Sequence, residues 1–315
     1  MTRWQLVFLD EKTALDLTDR GHAVWSLETG EAIRSSAHLI SLGTVMKMVI
    51  RIVEKDRERV ALLHRDGFLV FYPPSPNGET TKRTIEEDNL SLTPLARRER
   101  KHTTMTGLQL RLGLRSYDLL LRDPEWGYLM DLFLVPGNEP VALALYQEPS
   151  PISDRDCLLA LGGSKESPVL LALTGQERKI LNLGNLEVRV YEGEVMAAFM
   201  ESGQGERYVF LCTAPRWDVR HVLTAKEDEK DLIIHAAPMP PIGVGVVRVS
   251  GGKPTLHIYD LRGKPIAAAA LEGPNLPSGV SAYDMGCRIS PGGEYVVIWH
   301  SMQNGISVFR NPLRR

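Results

Sequence analysis

The stretch RDGFLVFYPPS occupies residues 65–75, a charged turn ending in Gly67 followed by an apolar run that contains Val70 and Phe71. DRGHAVWSLETGE at 19–31 and MQNGISVFRNP at 302–312 keep its spacing. Three residues beyond Gly21, Gly67 and Gly305 stand Val24, Val70 and Val308. Four residues beyond them stand Trp25, Phe71 and Phe309. A glycine in a tight turn accepts the positive φ that a hairpin demands. The strand after the turn then presents valine on one face and an aromatic on the other. Each segment therefore reads as a hairpin buried on both faces, as a sheet stacked between neighbouring sheets must be.

Outward from these hairpins the same grammar continues. Runs of four to eight apolar residues dominate, such as WQLVFL (4–9), RVALLH (59–64), PVALALY (140–146), VGVVRV (244–249) and YVVIWH (295–300). Gly, Pro, Asn and Asp punctuate them, and long runs at the helical period are scarce. The chain is expected to be all-β. The first two hairpins lie 46 residues apart, close to the repeat length of a β-propeller blade.

Four stretches carry a more specific likeness. AVWSLETGEAI (23–33) and LHIYDLRGKPIAA (256–268) each end a strand on an aromatic and enter a polar turn, the second through Tyr259-Asp260. RISPGGEYVVIWHSMQNGISVFR (288–310) has a Ser-Pro-x-Gly turn between apolar strands, and PRWDVRHV (215–222) contains Trp217-Asp218. Together they resemble degenerate WD40 repeats. The resemblance implies one β-propeller over residues 1–315, of about seven blades with six as the alternative. The C-terminal copy stops at what would be the third strand of its blade. The N-terminal strand at 4–9 is expected to supply the fourth, beside 306–310, closing the ring and removing an exposed edge.

Composition bounds the function. The chain has 315 residues, 43% hydrophobic and 24% charged, with a formal net charge of −2. No global field selects nucleic acid or an anionic membrane, and no apolar run approaches the roughly 18 residues of a spanning helix. The N-terminal apolar stretch is too short for a signal peptide core, so a cytoplasmic protein is expected. Cys157, Cys212 and Cys287 are odd in number and widely spaced, which reads as buried thiols rather than a disulfide framework or metal site. No two of the eight histidines stand at i,i+2 or i,i+4. A nucleophile elbow, a Walker loop, HExxH and an EF-hand loop are all missing. No catalytic residue, cofactor or metal is expected.

Residues 73–104, PPSPNGETTKRTIEEDNLSLTPLARRERKHTT, carry four prolines and few large apolar side chains. They read as a long polar insertion between blades. Its basic cluster, Arg97, Arg98, Arg100 and Lys101, follows the acidic Glu86, Glu87 and Asp88, and is the candidate partner-binding or regulatory element. No aromatics interleave the cluster and Glu99 interrupts it, which argues against nucleic acid. The WD40 resemblance implies a non-catalytic scaffold or accessory subunit that binds protein partners. Two other readings stand beside it: a regulatory subunit controlled through cleavage, modification or partner capture at 73–104, and a propeller hydrolase or lyase with its site at the channel mouth.

Overall fold

The computed structural model describes residues 3–18, 21–37, 46–74, 81–99, 102–148, 155–162, 168–173, 182–203, 205–227, 231–239, 243–276, 285–300 and 306–314. The chain folds as successive antiparallel meanders. The first sheet holds β1 (Arg3–Phe8), β2 (Thr13–Thr18), β3 (Gly21–Ser26) and β4 (Ala32–Ala37). Next come β5 (Met46–Val53), β6 (Glu58–His64), β7 (Leu69–Tyr72) and β8 (Thr81–Lys82). A third meander holds β9 (Ile85–Glu87), β10 (Leu90–Glu99), β11 (His102–Leu112) and β12 (Arg115–Leu120). The short β13 (Arg122–Asp123) leads into β14 (Gly127–Val135), β15 (Val141–Glu148), β16 (Arg155–Gly162) and β17 (Val169–Leu173). Then follow β18 (Asn182–Tyr191), β19 (Glu194–Gly203), β20 (Glu206–Thr213) and β21 (Arg220–Lys226). β22 (Asp231–Met239), β23 (Gly243–Ser250), β24 (Lys253–Asp260) and β25 (Pro265–Ala270) form another sheet. The last sheet holds β26 (Met285–Ile289), β27 (Tyr295–His300) and β28 (Ser307–Arg310). No helix among the described residues is long and apolar enough to cross a membrane.

The three opening segments are hairpins, and each pairs the second strand of its meander with the third: β2 with β3, β6 with β7, β27 with β28. The aromatics sit at one ladder position. Trp25 faces Ala14, Phe71 faces Ala61 and Phe309 faces Val296, so each large ring has a smaller cross-strand neighbour. Their depths differ. Phe309 is 1% exposed, whereas Trp25 and Phe71 are only half-buried. The glycines differ too. Gly67 adopts φ +81° in its turn, while Gly21 is the first residue of β3, opposite Ala37. Gly305 lies outside the described residues.

The contacts divide the chain into two compact units. The first comprises Met1–Leu39, Lys55–Arg57 and Leu183–Arg315. Its four sheets stack in series, each face burying apolar side chains of the next. Met196, Ala198 and Leu211 pack on Ile233, Ala236 and Val246, which joins the β18–β21 sheet to the β22–β25 sheet. Leu232, Val247 and Leu256 pack on Cys287, Val296 and Phe309, joining β22–β25 to β26–β28. Leu6, Phe8 and Leu27 pack on Tyr295 and Val297, joining β1–β4 to β26–β28. Serial stacking of small meander sheets is a propeller-like arrangement.

The expected closure by the N-terminal strand is corrected here. β1 does not add to β28; it pairs with β2, with Val7 opposite Leu15 and Phe8 opposite Ala14. The chain beyond β25 lies beside β28 instead, in a single bridge between Glu272 and Arg310. That passage is tight. A Cβ on Gly273 would stand 2.6 Å from the Phe309 ring and 2.9 Å from the Val308 carbonyl oxygen. The first and last sheets are still joined, through side chains. The Glu11 carboxylate, in the β1–β2 turn, accepts from the Ser290 hydroxyl and from the backbone N–H groups of Gly292 and Glu294, the last at 2.9 Å. The Ser-Pro-Gly-Gly turn that the sequence singled out thus forms a concave set of donors filled by a carboxylate from the first sheet.

The second unit comprises Ile40–Glu54 and Glu58–Asn182. Here β5 and β14 pair in parallel, Asp131–Leu134 against Val49–Ile52, which fuses two meanders into one nine-stranded sheet. The β9–β12 sheet covers one face of it. Leu92, Leu108 and Leu110 pack against Ile50, Ile52, Leu132 and Leu134.

Within the insertion expected at 73–104, residues 81–82, 85–87 and 90–99 are strand. Leu90 and Leu92 alternate with polar residues and bury one face only. Pro94 is tolerated because β9 pairs only Leu90–Leu92, so the proline lies past the end of that ladder.

Candidate interaction site

A buried charge cluster and an exposed apolar hairpin stand out among the described residues, and they have opposite character. The first is internal, on the leading strands of the sheets of the first unit. Glu187 and Arg189 (β18), His235 (β22) and Arg288 (β26) are each 3% exposed or less. Arg288 grips the Glu187 carboxylate at both oxygens, 2.5 Å each, and its third arm donates to the Leu6 carbonyl in β1 at 2.6 Å. Arg189 donates to the Ile289 carbonyl at 2.6 Å and stands 3.4 Å from Glu187. His235 Nε2 lies 3.8 Å from the same carboxylate. Burial opposes ionisation of Glu187, but Arg288, Arg189 and His235 overcome it and hold the carboxyl down at about 2. The cluster reads as a charged clamp between sheets. Its carboxylate is engaged on both oxygens.

The thiols are equally withdrawn. All three cysteines are buried. Burial pushes Cys212 up to about 12 and Cys287 well above the usual thiol range, so neither offers a thiolate.

The second place is a surface hairpin of the second unit. Asp123 caps the turn between β13 and β14, its Oδ1 accepting from the N–H of Glu125 at 2.8 Å and of Trp126 at 3.1 Å. Arg122 is paired with Tyr128, and the Leu129 N–H donates to the Leu121 carbonyl at 3.1 Å. Alternation then sorts the side chains. Leu121, Trp126 and Leu129 pack into the core. Leu120, Tyr128 and Met130 face solvent at 37%, 40% and 45% exposure. The Arg122 guanidinium lies 5.4 Å from the centre of the Tyr128 ring, fixing an aromatic and a cation within an apolar patch. Leu114, in the β11–β12 turn, is fully exposed.

The residues singled out in the sequence fall elsewhere. Arg97 and Arg98 are strand positions of β10, opposite Thr104 and Thr103. Arg100 and Lys101 lie outside the described residues. Tyr259 and Asp260 do close β24, and the Asp260 carboxylate accepts from the N–H groups of Lys264 and Arg262, 2.8 Å each, which lowers its pKa. Trp217 is a buried turn residue at φ +59°. The exposed hairpin at 120–130 had a readable signal, Asp-Pro-Glu-Trp-Gly between apolar residues, but its outward face follows from the register alone.

No family model and no curated protein matches the chain. Among solved structures, Raptor of Chaetomium thermophilum matches over 98% of this chain at 12% identity and a TM-score of 0.55. This chain spans 28% of that one. The Dos1 propeller matches over 94% of this chain and 65% of its own, at 15% identity and a TM-score of 0.36. An oligogalacturonate lyase in complex with manganese matches over 97% and 76%, at 10% identity and a TM-score of 0.42. The last two scores are too low to add to the argument, and at such identities the first likeness concerns the fold alone: an almost wholly β chain of stacked sheets.

Proposed function

We propose that the chain is a non-catalytic protein-interaction module, a scaffold or accessory subunit, with the outward face of the 120–130 hairpin as a docking surface for a protein partner. The exposed patch of Leu120, Tyr128 and Met130 around Arg122 supports this reading. Aromatic, methionine and arginine side chains are the types enriched where proteins meet. A β-sheet framework holds such a patch with little entropy to lose on binding. A regulatory subunit controlled through cleavage, modification or partner capture at 73–104 is the alternative, with Arg97 and Arg98 carried on β10.

The test uses the full chain with Met130→Lys and Tyr128→Ser together. Surface changes of this kind alter stability by about 0.5 kcal/mol or less, so the melting curve should stay in place. Proteins that co-purify with the wild-type chain from its native cell extract should be lost. Retention of those partners by a folded double variant would place the docking surface elsewhere. Turnover by the purified chain across a panel of hydrolase and lyase substrates would overturn the non-catalytic reading.

A further inference from the structure

Connections of the β18–β21 and β22–β25 sheets surround a cavity of about 340 Å³ within the first unit. Each part of its wall is held by a local constraint. Glu192 and Gly193 stand at φ +49° and +83°, the left-handed pair of a two-residue hairpin turn. That turn joins β18 to β19 and brings Tyr191, Glu192 and Glu194 to the cavity. The β20–β21 loop is anchored by Trp217, which is buried and whose N–H donates to the Thr213 carbonyl at 2.8 Å. The anchored loop supplies Asp218, and Arg220 follows at the start of β21. The β24–β25 turn supplies Leu261. It lies so close to β21 that a Cβ on Gly263 would stand 2.4 Å from the Val222 carbonyl oxygen.

The lining is amphipathic. Met196 and Leu211 are buried and form an apolar floor, and Leu261 extends it to the surface at 38% exposure. Cys212 adds no reactive group, because its buried thiol donates to the Ala197 carbonyl at 3.5 Å. The polar lining holds three exposed carboxylates, Glu192, Glu194 and Asp218, and one exposed cation, Arg220. Among the described residues none of these four charges stands in an ion pair. Arg220 balances one carboxylate and leaves a negative excess beside an apolar floor.

We infer that the cavity is a docking pocket for a lysine or arginine side chain presented by a protein partner. Such a side chain meets both halves of the lining: its methylene stem covers Leu261 and the floor while its head group reaches the carboxylates. A wholly apolar side chain would strip water from the carboxylates and give nothing back. An acidic one would add to their repulsion. The inference rests on the reading of the chain as a protein-interaction module, on a different surface from the 120–130 hairpin.

The test titrates the full chain, with its methionine methyls labelled for NMR, with capped Ser-Ala-Xaa-Ala-Ser peptides in which Xaa is lysine, arginine, norleucine or glutamate. The lysine and arginine peptides should shift the Met196 methyl saturably, and the norleucine and glutamate peptides should not. Glu194→Gln with Asp218→Asn should weaken the basic peptides by about tenfold, the scale of lost charge contacts at an interface. Both residues are exposed, so this double variant should melt as wild type does. Arg220→Ala should tighten the basic peptides by about twofold, because it removes a like charge. An unmoved Met196 methyl, an equal response to norleucine, or equal affinity for the double variant would overturn the pocket. A glutamate peptide that binds through Arg220, and is lost in Arg220→Ala, would assign the cavity to an anion instead. Agmatine binding far more tightly than either basic peptide would assign it to a free amine and overturn the protein partner. Failure of the peptides, with co-purifying proteins still lost from the Met130→Lys and Tyr128→Ser chain, would strike the pocket and spare the module reading.

Discussion

The two units join their meanders by different chemistry. In the first, the leading strands β1, β18 and β26 are tied by guanidinium groups: Arg288 reaches the Leu6 carbonyl and Glu187, and Arg189 reaches the Ile289 carbonyl. In the second, the leading strands β5 and β14 are tied by the peptide backbone itself, in a parallel ladder. A side-chain tie keeps each sheet distinct and lets the next one stack on it. A backbone tie merges two sheets into one and leaves a broad face that needs a cover, which β9–β12 provides. The same repeat thus yields stacked sheets or a covered one according to what lies on its leading strands.

The contrast can be broken from the side-chain end first. Arg288→Ala leaves Glu187 buried with one clamp fewer, and loss of one partner from a buried pair costs about 3–5 kcal/mol. Denaturant unfolding should show that loss, and exchange at 285–310 should speed up while the ladder of Val49–Ile52 with Asp131–Leu134 stays protected. Equal loosening of both regions would show that the two junctions are not independent.

The aromatic column comes next. Phe309→Ala should cost about 3–5 kcal/mol, as for other fully buried rings. Trp25→Ala and Phe71→Ala should cost less than that, because both side chains are only partly buried. Equal losses at all three positions would mean that ladder position, not depth, sets the cost.

Acid should separate the units by sign. The Glu187 carboxyl is depressed in the folded chain, so its contribution is complete above the ordinary carboxylate range and is lost as pH falls toward about 2. That loss amounts to about 3 kcal/mol. Asp131 on β14 behaves oppositely: burial raises its pKa and Arg51 only partly offsets this. Its contribution is present at low pH and is lost as pH rises through the raised value. Exchange measured from pH 5 to pH 2 should weaken 285–310 before the ladder of the second unit. The reverse order would contradict both assignments.

The smallest effect belongs to the turn between the first and last sheets. Glu11→Ala removes one carboxylate from three donors, and exposed donors recover water, so about 1–2 kcal/mol is expected. A calorimetric shift of a few degrees would check it, and no shift would mean that apolar packing and the Arg288 bond to the Leu6 carbonyl hold that seam without Glu11.

The hairpins and the all-β class were legible because they rest on local spacing: a turn, a valine, an aromatic. The closure was not. Arg288 and Leu6 are 282 positions apart, and no periodicity says which carbonyl a guanidinium will find. The strands at 81–99 were hidden for a different reason. A sheet that buries one face and exposes the other needs an apolar residue only at alternate positions, as at Leu90 and Leu92, and prolines and charges among them imitate a loop. The 120–130 patch was invisible as a surface because Leu120 and Leu121 are the same residue type with opposite destinations, decided by register.

Glu11 also sets a clock. Its partner amide at Glu294 is 283 positions further along the chain. At a synthesis rate of about 5–20 residues per second, roughly 15–60 seconds pass between the making of the carboxylate and of its donors. The second unit comes from one nearly unbroken stretch of chain and has all its strands a little past the middle of that interval. During the wait the β1–β4 hairpins carry Leu6, Phe8 and Leu27 with no sheet to cover them. A nascent chain of this protein therefore presents a period of exposed apolar surface whose length is fixed by sequence separation, and chaperone occupancy of the first forty residues should end only when the β26–β27 turn has emerged.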